Sequence, residues 1–364
     1  MRTLLKVVVL SLVTLIASAA DAKTVQVGTC EPHMQAYSTI TQAVSSVPAG
    51  SIVWVCPGTY AEQVTITKSL TLRGAVAGNA ANATITAPTG GLTQSVLLLN
   101  GVTMFYQVLV QGSPSDVVNI RDIAINGSGN QVGSEAWLSG VCYRATSGSV
   151  SHTAIFNQQG NGAGFAVFLE TGGQPGMSTV SLASNSIHDF DAAGIRSNAN
   201  SNPPSLTVDI KGNSVVISNS PTLYASAAAI DIDGIGEISG NRLLGPSMGI
   251  GIGFLSKLTI SNNTIEGLGI GIWEIGESNA ITSNQVSAAG EGIILSGNGN
   301  DVEHNHIMNV SGGNGIHFNC TGTSNTVVHN TINDSRWGIG EDPGGNILAP
   351  NLFSNVSTVI GSTC

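Results

Sequence analysis

Asn263-Thr264-Ile265 followed by Gly271-Ile272, then Asn284-Gln285-Val286 followed by Gly292-Ile293: one pattern is stated twice in neighbouring segments. The Asn-x-aliphatic triplet recurs at Asn185-Ser186-Ile187, Asn213-Ser214-Val215, Asn241-Arg242-Leu243, Asn305-His306-Ile307 and Asn330-Thr331-Ile332. Successive triplets lie 28, 28, 22, 21, 21 and 25 residues apart. Most are followed by a second marker, as at Gly194-Ile195, Gly249-Ile250, Gly315-Ile316 and Gly338-Ile339, with Ala229-Ile230 in that place after an insertion. A period of about 22 residues fits three short strands and three turns per coil, each coil stacking on the last at roughly 4.8 Å. Runs such as Ala229-Ile230-Asp231-Ile232 alternate apolar and polar residues at period two, with Ile inside. Glycine permits positive φ at tight corners, and a repeated asparagine can stack as an amide ladder. The expected fold is all-β, a right-handed parallel β-helix of roughly ten coils.

Composition agrees. No Pro-rich or charge-rich linker divides the chain, so residues 23–364 are read as one domain. Only 9% of residues are charged and 46 are glycine. The formal net charge is −10, which argues against nucleic acid as a partner because that needs a basic face. Residues 1–22 read as an export signal: Arg2 and Lys6, the apolar run Val7 to Ile16, then Ala20-Asp21-Ala22 before Lys23. No later segment has the uninterrupted apolar length of a membrane span. The mature chain is therefore expected to be secreted, periplasmic or extracellular, without a membrane span, and a monomer. Five cysteines in an exported chain invite disulfides, with Cys30–Cys56 and Cys320–Cys364 as the expected pairs and Cys142 left as a small buried residue. Residues 23–62 form the cap and first strands. In them Ile40, Ala43, Val44 and Val47 share one helical face, stopped by Pro48, and such a helix would cover the first coil.

The opening also carries a family resemblance. Tyr37 to Val44, Ile52-Val53-Trp54-Val55-Cys56-Pro57-Gly58-Thr59-Tyr60-Ala61-Glu62, Val64-Thr65-Ile66 and Leu70-Thr71-Leu72-Arg73-Gly74 resemble the start of pectin-lyase-like β-helix proteins, including the carbohydrate-binding/sugar-hydrolysis repeat type. The resemblance implies the fold. Its catalytic motifs do not carry over: of the positions just before Gly-Ile only Glu291 is acidic, where a hydrolase needs two carboxylates. His188-Asp189-Phe190-Asp191 lacks the glycine of the esterase motif.

Residues following Gly-Ile should point outward on successive coils: Arg196, Asp231, Gly251, Trp273, Ile294, His317 and Gly340. Arg196, Asp231 and Asp191 are the candidate catalytic groups, and Trp273, Glu274, Glu291 and His317 the candidate substrate-binding ones. A lyase needs a base and a cation to neutralise a uronate carboxylate, and Trp273 could stack on a sugar. Asp231 and Asp233 share a strand face and could hold calcium, and no cofactor is expected to be required. The bland alternative is a solvated surface with an Arg196–Asp231 pair worth under about 1 kcal/mol. His304, His306 and His329 form a second cluster, read as turn-edge residues rather than a zinc or copper site. Gly245-Pro246-Ser247-Met248-Gly249 fits the nucleophile-elbow pattern without its strand-turn-helix context. The expected partner is polysaccharide. The candidate functions are lyase or hydrolase action on an acidic plant or bacterial glycan, or a non-catalytic binding or surface-structural role.

Overall fold

The structure is a computed structural model that describes residues 21–133, 136–160, 163–198, 205–217, 227–245, 247–310 and 312–360. The expected leader, apart from Asp21 and Ala22, and Cys364 lie outside the described residues. The chain winds as a right-handed parallel β-helix with three faces. Face one is a thirteen-stranded sheet running from Ala36–Tyr37 to Thr326–Val328. Faces two and three run through one twenty-one-stranded sheet, because long strands such as Thr264–Glu274 and Gln285–Leu295 turn the corner between them. Face two carries the Asn-x-aliphatic strands and face three the Gly-Ile strands. The residue column on face three that contains Trp273 crosses eleven rungs, from Thr65 to Gly340, slightly more than the ten coils expected.

The two sequence markers interlock. A Cβ on Gly194 would lie 2.6 Å from Val215 Cγ1, and one on Gly271 2.3 Å from Val286 Cγ1. On Gly292 and Gly315 it would strike Ile307 Cγ2 at 2.6 Å and Ile332 Cγ2 at 2.4 Å. Each partner is the aliphatic residue of the next triplet. None of these glycines has positive φ, in contrast to turn glycines such as Gly212, Gly240 and Gly299: they are glycine because the next coil's aliphatic side chain occupies the space a Cβ would need.

The asparagines of the triplets form the expected ladder. Asn263 donates from its backbone N and its Nδ2 to Asn284 Oδ1 (3.0 and 2.9 Å), and Nδ2 also reaches Ile238 O. The same bonding links Asn185, Asn213, Asn241, Asn263, Asn284, Asn305, Asn330 and Asn351. A second ladder stands where face three returns to face one: Asn279, Asn300, Asn325 and Asn346, in which the Oδ1 of each of the last three accepts from the backbone N of the preceding asparagine of the ladder and Asn279 Oδ1 accepts from Leu258 N. These amides satisfy backbone groups at both corners, where strand pairing stops.

The N-terminal coil is covered by the helix Ile40–Ser46, with Ile40, Ala43, Val44 and Val47 buried as expected. Thr39 caps Gln42 N, and the Glu62 carboxylate accepts from Ile40 N and Thr41 N, both at 2.9 Å. Cys30 and Cys56 are disulfide-bonded. Gly249 lies in the strand Met248–Ile252 within a coil, which removes the nucleophile-elbow reading.

One excursion departs from the repeat. Residues 87–102 leave the stack, pair Ser95–Leu97 antiparallel to the next strand, and lay Leu98 over the outside of face three. Leu98 packs with Met104, Leu109, Cys142, Phe165 and Phe168. Leu99 N donates to Glu170 Oε1 (2.7 Å), and Arg144 links Leu97 O (3.1 Å) to Glu170 Oε2 (2.8 Å).

Candidate functional site on the third face

Parallel register puts every rung's equivalent residue in one vertical column. Phe168, Arg196, Asp231, Gly251, Trp273, Ile294, His317 and Gly340 are consecutive partners on face three. The column predicted from the repeat is therefore continuous.

Its upper part is aromatic and charged. Arg196 lies over the rings of Trp137 and Phe165, 5.8 Å from each centroid. Its Nη1 stands 3.6 Å from Asp231 Oδ2. Asp233 is fixed by Ser197, whose hydroxyl donates to Asp233 O (2.8 Å) and accepts from Asp233 N (2.7 Å). Burial raises the Asp231 carboxyl against the opposing pull of Arg196. Burial and then the charge of Asp231 raise Asp233. The space both carboxylates use is made by glycine: a Cβ on Gly251 or Gly253 would run into Asp231 or Asp233. Below them Trp273 and Ile275 are exposed.

The lower part is a second polar group. His317 Nε2 is 3.0 Å from Glu341 Oε2, and its Nδ1 is 3.7 Å from Glu291 Oε2. Glu291 also accepts from Asn314 N at 2.9 Å and from Asn314 Nδ2. Glu291 and His317 are thus brought together as candidate residues. Glu341, which the sequence did not single out, completes the group. Its signal was its place at the end of the last Gly-Ile strand, one residue beyond Gly340.

Two expected residues lie elsewhere. Glu274 follows outward-facing Trp273, so alternation turns it inward between Ile252 and Leu295, fully buried. There it accepts from Asn279 Nδ2 (3.1 Å), Asn300 Nδ2 (2.9 Å) and Gly297 N (3.3 Å). Burial raises its carboxyl to about 7. It is an interior residue and not part of a substrate surface. Asp191 lies two residues ahead of the strand Ala193–Asn198, where its carboxylate accepts from Gly160 N at 2.7 Å, whereas Arg196 is that strand's fourth residue. Its hydrogen bond is to the loop at Gly160, whereas the ion pair of Arg196 is to Asp231. Nearby, Asp189 Oδ2 is 2.7 Å from His188 Nδ1.

The other clusters are structural. His304 and His329 stack with centroids 5.1 Å apart and planes at 17°, and His306 Nε2 is 3.0 Å from Asn333 Nδ2. Cys142 is buried and free, and burial pushes its thiol up to about 12, which removes it as a nucleophile. Among the described residues no group of three or more His, Cys, Asp or Glu side chains is arranged to hold a metal ion.

Comparison with known proteins agrees with this architecture. The Dettilon tailspike protein superposes with a TM-score of 0.59 at 14% identity, covering 86% of this chain and 62% of the tailspike. A mannuronic acid specific polysaccharide family 6 lyase from human gut microbiota gives 0.54 at 13% identity, covering 86% of this chain and 77% of the lyase. At such identities the likeness is one of fold. No curated protein matches the sequence. Residues 175–363, more than half of the chain, match the family model described as periplasmic copper-binding protein (NosD), and the chain belongs to that family.

Proposed function

We propose that this protein binds polysaccharide along the outer column of face three. The observation that carries the reading is the unbroken register of Arg196, Asp231, Trp273 and His317 on one rigid sheet, with Arg196 held against two aromatic rings. A flat solvated surface gives no reason to seat a guanidinium on Trp137 and Phe165 or to clear glycines beneath two carboxylates. Exposed Trp273 supplies a stacking platform, and the Asp231 and Asp233 carboxylate oxygens can accept hydrogen bonds from sugar hydroxyls. The Cys30–Cys56 disulfide and the family's periplasmic description both support an exported protein.

Calcium enters this reading only as a bridge. Asp231 and Asp233 offer two carboxylates where calcium takes six to eight oxygens, so an acidic glycan would have to complete the shell. The family's copper does not fit the described residues. Copper is held by convergent imidazole or sulfur donors, whereas the His304 and His329 rings lie face to face and the Cys142 thiol is enclosed.

One observation favours a second reading, cleavage. Arg196 Nη1 and Asp231 Oδ2 stand 3.6 Å apart, a cation for a uronate carboxylate next to a carboxyl group that could move a proton. Incubating the protein with pectate, alginate and neutral glycans, with and without calcium, separates the two. Binding without turnover supports the binding protein. Unsaturated products or new reducing ends that disappear in Arg196→Ala support the enzyme. Absence of binding to every glycan overturns both.

A further inference from the structure

The column on face three is open along only part of its length. Leu109, Cys142 and Phe168 precede Arg196 on it and are 4%, 0% and 0% exposed, because residues 87–102 lie across them. The strap is fastened on both sides: Leu98 fills the apolar pocket from outside, and the Arg144–Glu170 pair holds the backbone of Leu97 and Leu99. Immediately past it the face opens. The Arg196 and Asp231 side chains are 40% and 31% exposed, and Trp273 is 38% exposed. From Arg196 to His317 the column crosses five inter-rung steps, about 24 Å.

We propose that this boundary makes the site one for the end of a glycan chain, and specifically for an acidic terminal sugar. The inference rests on the reading that face three binds polysaccharide, and it adds which part of the polymer is taken. A chain lying along the column cannot continue past Arg196, because the strap covers the rungs beyond it. The sugar that meets this wall meets Arg196, the only Lys or Arg of the column. Its partner Asp231 is 3.6 Å away, too long for a tight hydrogen bond, so the guanidinium keeps donors for a paired contact with a terminal carboxylate. The same fork seated on two rings is pre-oriented, so little freedom is lost on binding. A groove open at both ends would instead let long chains pass through and load many copies of the protein.

The distinguishing quantity is stoichiometry. Full-length protein would be titrated with polymannuronate, polygalacturonate and an uncharged glucomannan, each as a short oligomer and as a long polymer at equal concentrations of chain ends, with complex mass read by light scattering. The inference predicts saturation at about one protein per acidic chain whatever its length, with affinity per chain end unchanged between oligomer and polymer, and weaker binding to glucomannan. Several copies on each long chain, or affinity that grows with polymer length, overturns the chain-end site and leaves glycan binding intact. Equal or tighter binding to glucomannan overturns the acidic terminus. No binding to any of the three probes removes the glycan reading and this inference together.

Discussion

Glu274 shows how strongly one residue's environment decides its chemistry here. It sits inside the solenoid in a row otherwise filled by Ile252 and Leu295, held by two asparagine amides and one backbone N–H. Its carboxyl is raised from 4.5 to about 7. The folded chain therefore binds more protons than the unfolded chain between those values. The contribution to stability is complete below pH 4.5 and is lost as pH rises through about 7, a change of about 3 kcal/mol at most. Glu274→Gln should flatten this dependence, while its amide N–H groups meet donors and cost about 1–3 kcal/mol at low pH. Denaturant unfolding at pH 4.5 and 7.5 checks both effects, and parallel pH curves for variant and wild type would refute the assignment. At the surface, Arg196→Ala should change stability by less than about 1 kcal/mol, since its pairing with Asp231 is solvent-screened. A larger loss in a thermal melt would show that the ring contacts carry the fold and not a ligand.

At the scale of the element, the coil is built from two interlocking markers and two amide ladders. Gly271→Ala should destabilise the protein by about 1–3 kcal/mol through overpacking, because Val286 Cγ1 and Gly292 O already occupy the space. Asn263→Ala should cost about 2–4 kcal/mol, because it leaves buried partners of Asn241 and Ile238 unmatched. Chemical denaturation of both variants measures these values, and neutral effects would contradict the packing described. The Asn-x-aliphatic ladder and the outward column were legible because both repeat with the coil. The second ladder was equally periodic, at Asn279, Asn300, Asn325 and Asn346, each two residues before an aliphatic one, but lay in the shadow of the first. Asn351 escaped notice because its triplet ends in Phe353. Glu274 could have been placed inside by the same alternation that put Trp273 outside; the charge of its side chain outweighed the periodicity.

For the whole molecule, the repeat specifies a rigid stack, and function depends on where that stack is interrupted. Residues 87–102 have no period, so nothing in their sequence announced that they cross face three and end its exposed track at Arg196. The cap role of Glu62 was likewise invisible, since it acts on a residue more than twenty positions away. Reducing Cys30–Cys56 should lower stability at the capped end by about 3 kcal/mol, as expected for opening a loop of its size. A melt that is unchanged under reductant would show that the Ile40–Ser46 helix closes the stack unaided. The central claim is that glycan is bound by the outer column of face three and by no other face. The most direct measurement is calorimetric titration of a binding oligosaccharide into Trp273→Ala, Arg196→Ala and the face-two control Arg242→Ala. The account predicts at least a tenfold loss of affinity, about 1.4 kcal/mol, in the first two and none in the third. Equal affinity in all three, or a loss confined to Arg242→Ala, would contradict it.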